Sequence, residues 1–258
     1  MALFTAFVIF VFGTVIGSFL NAVIWRLRTG ESVVIGRSYC PSCGHTLSPW
    51  DLIPAISYLL LRGRCRYCRK SIGAHYLAVE VSTGLLFLAL AYLDLAQGPI
   101  DQQSLVRLLV HWYFAAILTI IFVYDLRYMM ILPKVAVPAT IIALGANLAL
   151  GQSPLLLVAS ALGAAGFFWF QLVVSRGKWI GGGDIYLGAL MGAMLGFPGT
   201  LVALFLAYVS GAVVGSLLIL ARRKTWKSEV PFGTFLAAAT AVTLLVGERL
   251  VNWYLGFL

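Results

Sequence analysis

The chain alternates long apolar runs with short polar ones. The apolar runs fall at about 2–25, 76–93, 105–124, 135–150, 155–174, 185–198, 200–221 and 231–250. Most are near the ~20 residues that an α-helix needs to cross a bilayer, and the fourth and sixth are the shortest. The pattern predicts an all-α polytopic membrane protein with about eight transmembrane helices. Residues 1–25 carry no charge. They lack the basic n-region and small-residue cleavage site of a signal peptide, so they read as a retained first transmembrane helix. The longest polar stretch, 26–75, reads as a small loop domain between the first two spans. Residues 76–258 read as a seven-helix membrane domain.

Composition agrees with the pattern. Of 258 residues, 61% are hydrophobic and 10% charged, with a mean hydropathy of +0.97. A soluble domain of this length could not bury that much apolar surface. The net charge is +9, and its placement is more informative than its size. With eight spans, the segments 26–75, 125–134, 175–184 and 222–230 share one side and hold 16 of the 18 Lys and Arg residues. The positive-inside rule makes these loops cytoplasmic and puts both termini outside. Orientation and contact with anionic lipids account for the basic excess, so no nucleic-acid partner is expected.

All four cysteines lie in the polar loop, as Cys40-x2-Cys43, 21 intervening residues, then Cys65-x2-Cys68. Each C-x2-C can aim two thiolates at one ion, and two such turns complete a tetrahedral four-sulfur site for Zn2+. Arg64, Arg66, Arg69 and Lys70 surround the second pair and favour thiolates. The alternatives are disulfides or free thiols, and a cytoplasmic loop disfavours the disulfides. Four sulfurs leave no open coordination position, so such a zinc is structural, folding a loop too small to build its own core. His45 is an alternative ligand or an ordinary turn residue. The apolar run 53–61 between the knuckles reads as a short helix on the membrane surface or against the bundle.

Of the nine acidic residues, Glu31 and Asp51 lie in the cysteine loop, Asp94 and Asp101 in an external loop, Glu229 in the last basic loop and Glu248 near the C-terminus, which leaves Glu80, Asp125 and Asp184. Ionisable groups at membrane depth are costly and usually face a bundle interior, often with a function. Asp125 follows the third span and Asp184 precedes the sixth, at similar depth on one membrane side. Two carboxyls meeting there can share one proton, as in aspartic proteases, with one activating water and the other polarising a peptide carbonyl. Before Asp184 stand Gly181, Gly182 and Gly183, where the missing Cβ lets an extended substrate backbone come close. Beyond it, Gly188, Gly192 and Gly196 line one helix face for close packing. The simpler readings remain open here. Asp184 can be a helix N-cap, Asp125 can pair with Arg127 or Lys134, and Glu80 can pair with a loop arginine or snorkel.

Five blocks occur in order: GTVIGSFLNAVIWRL (13–27), the cysteine block through Glu80 (40–80), YDLRYMMILPK (124–134), GGGD (181–184) and VPFGTFLA (230–237). Together they resemble the type IV prepilin peptidases, the leader peptidases of type IV pilus and type II secretion systems, over nearly the whole chain. The resemblance implies an aspartyl membrane protease of the GxGD group in the bacterial inner membrane. Such enzymes cut the short basic leader from prepilins and pseudopilins at the cytoplasmic face, after a glycine. Asp125 and Asp184 match the family's two catalytic aspartates. The family commonly also methylates the new N-terminus with S-adenosylmethionine, an activity linked to the cysteine region. No glycine-rich nucleotide fingerprint occurs in 26–75, so that cofactor enters only through the resemblance.

One motif departs from the family pattern. The family's first motif usually reads D-x6-P-D, which from Asp125 would put a Pro and an Asp at 132 and 133, whereas positions 132–134 here are Leu132, Pro133 and Lys134. Either two residues changed in place, or one was inserted and the final Asp became Lys134. Two other functions fit the membrane acids less well. One is a GxGD protease for other membrane proteins, disfavoured by the cysteine loop. The other is an ion-coupled carrier, disfavoured by acids at an interface instead of the midplane and by the lack of internal repeats.

Overall fold

A computed structural model describes residues 3–95, 100–222 and 230–256. The described residues form seven long α-helices and one short one, besides a 3-10 turn at Pro49–Leu52: α1 (Leu3–Thr29), α2 (Ile56–Leu60), α3 (Ala74–Leu95), α4 (Gln102–Tyr128), α5 (Pro133–Ala149), α6 (Pro154–Ser175), α7 (Gly183–Leu220) and α8 (Phe232–Leu255). Among the described residues, six helices are long and apolar enough to cross a membrane, and α5, at 17 residues, is shorter. Between 11% and 39% of each candidate window is buried, so most of its apolar side chains face outward, as lipid-facing helices require.

Six such helices and the shorter α5 agree only roughly with the expected eight spans. The sixth and seventh apolar runs form one 38-residue helix, α7, broken inside by non-helical Gly196 and Phe197 ahead of Pro198. Gly196 has φ of 60°, which glycine adopts without Cβ strain. The break interrupts the i to i−4 hydrogen-bond ladder, and Pro198 has no N–H to give back to Met194. Asn147, near the end of α5, repairs it. Its buried Nδ2 donates to the carbonyls of Ala193 (2.7 Å) and Met194 (3.0 Å).

Contacts divide the chain into two compact units, Met1–Ile100 and Asp101–Leu258. In the first, α1 packs against α3, the segment that the sequence reading groups with the later spans. Their backbones meet at glycines: a Cβ on Gly13 would lie 2.8 Å from Gly84 Cα, and one on Gly17 would lie 2.8 Å from Glu80 Cα. α3 also runs further than the apolar run suggests. Asp94, expected in an external loop, is in its last turn and buried.

The second unit holds α4 to α8. α7 is its centre, packing against α5, α6 and α8, and α4 packs on α8. The predicted small-residue face of α7 is real at two of its three positions. A Cβ on Gly188 would lie 2.5 Å from the Phe168 ring, and one on Gly192 would strike Ser160 O and Ala161 of α6. Gly196 serves the break instead. The basic loop 222–230 lies outside the described residues except for its two ends.

Replacing Asn147 with Leu removes the donor and leaves two buried carbonyls without partners. The expected loss is about 1–3 kcal/mol, with membrane hydrogen bonds at the low end of that scale. Thermal unfolding in detergent or nanodiscs measures it, and an unchanged midpoint would contradict this account of the break.

Candidate active site and metal centre

Asp125 occupies the last turn of α4, where Met129 (φ 52°) ends the helix. The carboxylate is 4% exposed. Its Oδ2 accepts two hydrogen bonds from Thr234, one from the backbone N–H (2.6 Å) and one from Oγ1 (3.0 Å). Thr234 is the third residue of α8, so its N–H is among the four that a helix N-terminus leaves without an internal partner. Asp125 therefore caps α8 from another helix, at the positive end of its dipole. The fit is close: a Cβ on the preceding Gly233 would lie 2.9 Å from Asp125 Oδ2.

Asp184 is 5% exposed. It is not the N-cap of α7, which is Gly182. It stands at the second helical position and reaches backward, its Oδ2 accepting the Gly181 N–H at 3.0 Å. Both carboxyls thus sit at helix N-termini, and Asp184 is near enough to Asp125 to feel its charge. Ile131, in the segment after α4, lies against both Gly183 and Gly233, the residues next to Asp184 and Thr234. Tyr208 also feels the Asp184 charge. Its hydroxyl is bonded to Gln171, and its ring centroid lies 5.0 Å from that of Phe232.

The three glycines divide by role. Gly183 is small because a Cβ would lie 2.9 Å from Ile131 Cβ. Gly181 gives its N–H to Asp184. Gly182 is exposed, with open space where a Cβ would stand. The unusual 132–134 segment builds an ordinary helix start. Leu132 is the N-cap of α5, Pro133 takes the first turn, and Lys134 is exposed behind it. Thr234 and Gly233 are the residues that sequence reasoning missed. Their only signal was the VPFGTFLA block, which carried no chemistry of its own.

In the first unit the four cysteines are free thiols. All four sulfurs lie within 4.8 Å of one another, with Cys40 and Cys68 Sγ 3.9 Å apart. Each C-x2-C closes as the same turn. Gly44 N donates to Cys40 O and Arg69 N to Cys65 O, and Gly44 and Arg69 both adopt positive φ. This arrangement fits one metal ion held by four sulfurs. Burial pushes the Cys40 thiol up, but bonds from the Ser42 and Cys43 N–H groups outweigh it and bring it down to about 7. His45 is not in the cluster and stacks on Tyr67, ring centroids 3.6 Å apart.

Asp51 fastens the knuckles to the linker between them. It accepts from Arg66 Nε (2.6 Å), Tyr67 Oη (3.2 Å) and both the N–H and hydroxyl of Ser48. Burial alone would raise Asp51, but the Arg66 and Ser48 donors hold its carboxyl below the usual carboxylate range. Glu80 accepts the backbone N–H of Ala55 (2.8 Å), a residue at φ 57°. The expected loop arginine is replaced by a backbone donor, which ties the start of α2 to α3.

The chain was compared with known proteins once this geometry was in hand. Residues 11–93 match the Bacterial Peptidase A24 N-terminal domain, and residues 112–216 match the Type IV leader peptidase family. The chain is 32% identical to a prepilin leader peptidase/N-methyltransferase of Aeromonas hydrophila, covering 96% of this chain and 92% of that protein. It is 31% identical to one of Bacillus subtilis, over 96% and 97% of the two chains. A Myxococcus xanthus relative of the same name is 37% identical over 85% of this chain and 64% of its own. No solved structure matches. With two family regions that follow the two structural units, and relatives covered almost end to end, the chain belongs to the type IV leader peptidase family.

Proposed function

We propose that this protein is an aspartyl peptidase of the inner membrane that removes the basic leader from prepilins or pseudopilins and then methylates the new N-terminus. One observation carries the peptidase reading: two buried carboxyls, each at a helix N-terminus, on turns that share Ile131 as a neighbour. They hold one proton between them. The two donors on Asp125 Oδ2 favour Asp125 as the carboxylate that takes a proton from water. The resulting hydroxide adds to the scissile carbonyl carbon while Asp184 gives its proton to the carbonyl oxygen. Collapse of the tetrahedral adduct breaks the C–N bond. The amine leaves with the proton held by Asp125, Asp184 recovers its own, and the pair returns to its starting state. Gly182 offers the substrate backbone open space beside Asp184.

The topology agrees with that substrate. A prepilin presents a basic leader followed by an apolar helix, so its scissile bond lies at the cytoplasmic interface. The positive-inside rule, applied to the basic loops, supports a cytoplasmic face for Asp125 and Asp184 and an outside position for both termini. The ion in the four-cysteine site is Zn2+, which closes the loop and takes no part in hydrolysis. The relatives' names support the methyl transfer, and the family resemblance makes S-adenosylmethionine its donor.

Asp125→Asn and Asp184→Asn each abolish cleavage of a prepilin-like peptide, read by mass spectrometry, while the protein still inserts. Full activity in either variant would sink the aspartyl mechanism. Thr234→Val keeps the backbone donor and removes the hydroxyl. Losing one charge-assisted hydrogen bond, about 1.5–3 kcal/mol, is expected to slow cleavage by roughly 10–100-fold. Gly233→Ala drives a methyl into the Asp125 carboxylate and is expected to cost at least as much. Metal analysis of the purified protein gives one zinc per chain, and Cys40→Ser lowers it. Full zinc retention in that variant would contradict four-sulfur ligation.

A further inference from the structure

The cysteine loop is polar in composition, yet six of its large apolar side chains are more than half exposed. Val34, Ile35, Trp50, Ile56, Leu59 and Leu60 show between 55% and 86% of their surface. They form two tips. Val34 and Ile35 stand on the turn that follows α1. Ile56, Leu59 and Leu60 fall at i, i+3 and i+4, on one face of α2, and Trp50 belongs to the 3-10 turn that packs beside it. Tyr58 of the same helix turns inward, its hydroxyl donating to Ile72 O at 3.3 Å. A helix whose outer face met only water would carry polar residues there.

Each tip is tied to a membrane-spanning helix. Arg26, in the last turn of α1, donates to Val33 O (3.2 Å) and Gly36 O (2.8 Å), so the Val34–Ile35 turn is clasped on both sides. Glu80 of α3 accepts the N–H of Ala55, the residue before α2. The glycine contacts set the depth of these tethers. Gly13 meets Gly84 and Gly17 meets Glu80, which brings Val23 of α1 level with Ala74, where α3 begins. At about 1.5 Å per residue α3 is ~33 Å long, close to the hydrocarbon thickness of a bilayer. Arg26 then stands ~5 Å above the start of α3, among the headgroups, and Glu80 ~9 Å below it. The Glu80 side chain leans back toward the start of its helix, as helical side chains do. Both tips are thereby held near the boundary between headgroups and acyl chains.

Arg62, Arg64, Arg69 and Lys70 follow α2, all exposed and without an ion-pair partner among the described residues, whereas Arg66 is paired with Asp51. Apolar tips with a Trp and unpaired cations beside them have the chemistry of a surface that enters an anionic leaflet. A peptide with a basic leader would be repelled by the same cations.

We propose that these two tips insert into the leaflet that α1 leaves and α3 enters, and that the cations after α2 bind its anionic phospholipids. The proposal goes beyond the peptidase reading and does not depend on it, since it needs only that α1 and α3 cross the bilayer. The four-cysteine module is then moored at a fixed height on the membrane, by its own tethers from one side and by lipid from the other.

The test uses the full chain with its metal, in nanodiscs of phosphatidylcholine alone and of phosphatidylcholine mixed with phosphatidylglycerol. Photoreactive benzoylphenylalanine placed at Leu60, or at Ile35, is expected to cross-link to phospholipid on illumination, read by mass spectrometry. Trypsin is expected to cut after Arg62 and Arg64 at least tenfold more slowly in the anionic bilayer than in the neutral one. The double variant Leu59→Glu, Leu60→Glu is expected to lose that protection while keeping its metal content, which reports that the loop is still folded. Leader cleavage is followed alongside, and its absence would count against the peptidase reading alone.

Cross-links to a second copy of the chain, or to an added prepilin-like peptide in preference to lipid, would overturn the proposal. So would labels at both tips that capture no phospholipid. Equal trypsin rates in the two bilayers would overturn the role given to the cations.

Discussion

The hydrogen bonds from Thr234 to Asp125 are the constraint around which the second unit is organised. A carboxylate buried in an apolar bundle needs donors, and lipid offers none. The first turn of α8 has N–H groups that its own helix cannot satisfy. Each end is costly alone, and together they settle each other. The close approach requires Gly233, because any side chain there would occupy the space of the carboxylate. It also leaves Ile131 lodged against Gly233 on one side and Gly183 on the other, so the turn that carries Asp184 is held by the same cluster. Among the described residues, no buried side-chain nitrogen or oxygen lacks a partner.

Close packing by small residues does the remaining work. In lipid there is little hydrophobic drive between helices, so association depends on contact area and on interhelical hydrogen bonds. Gly13 and Gly17 bring α1 onto α3, and Gly188 and Gly192 bring α7 onto α6. Asn147 then stitches α5 to α7 where the latter loses its own ladder. The cysteine loop follows another logic. Its sulfur cluster, Asp51 and Glu80 replace the core that so short a polar segment could not form.

How much of this was legible in the sequence depends on whether the signal is local. The apolar runs are local, because lipid demands a continuous stretch, and the Gly196–Pro198 break falls at the end of the sixth of them. The doubled C-x2-C is local too, since each turn closes on itself. Asp125 and Asp184 stood out because acids in such company are rare. Thr234 did not, because a threonine at a helix start is ordinary until a carboxylate from a helix 109 residues earlier is found against it. Asn147 was hidden in the same way. Gly183 looked like room for a substrate and is room for Ile131, a contact that no local pattern announces. The partner of Glu80 proved to be a backbone N–H, which has no letter in the sequence.

The order in which the chain is made gives the Asp125 clamp a further meaning. Ribosomes deliver α4 early, α7 later and α8 last of the described helices. Until α8 arrives, Asp125 has neither of its Thr234 donors, and the cluster that steadies the Asp184 turn is missing the Gly233 side. The arrangement of Asp125 and Asp184 is therefore an assembly of the finished fold and of no intermediate on the way to it. Under the proposed mechanism, a nascent chain threading into a membrane crowded with other unfolded helices carries both acids harmlessly, and gains its activity only by completing its own insertion.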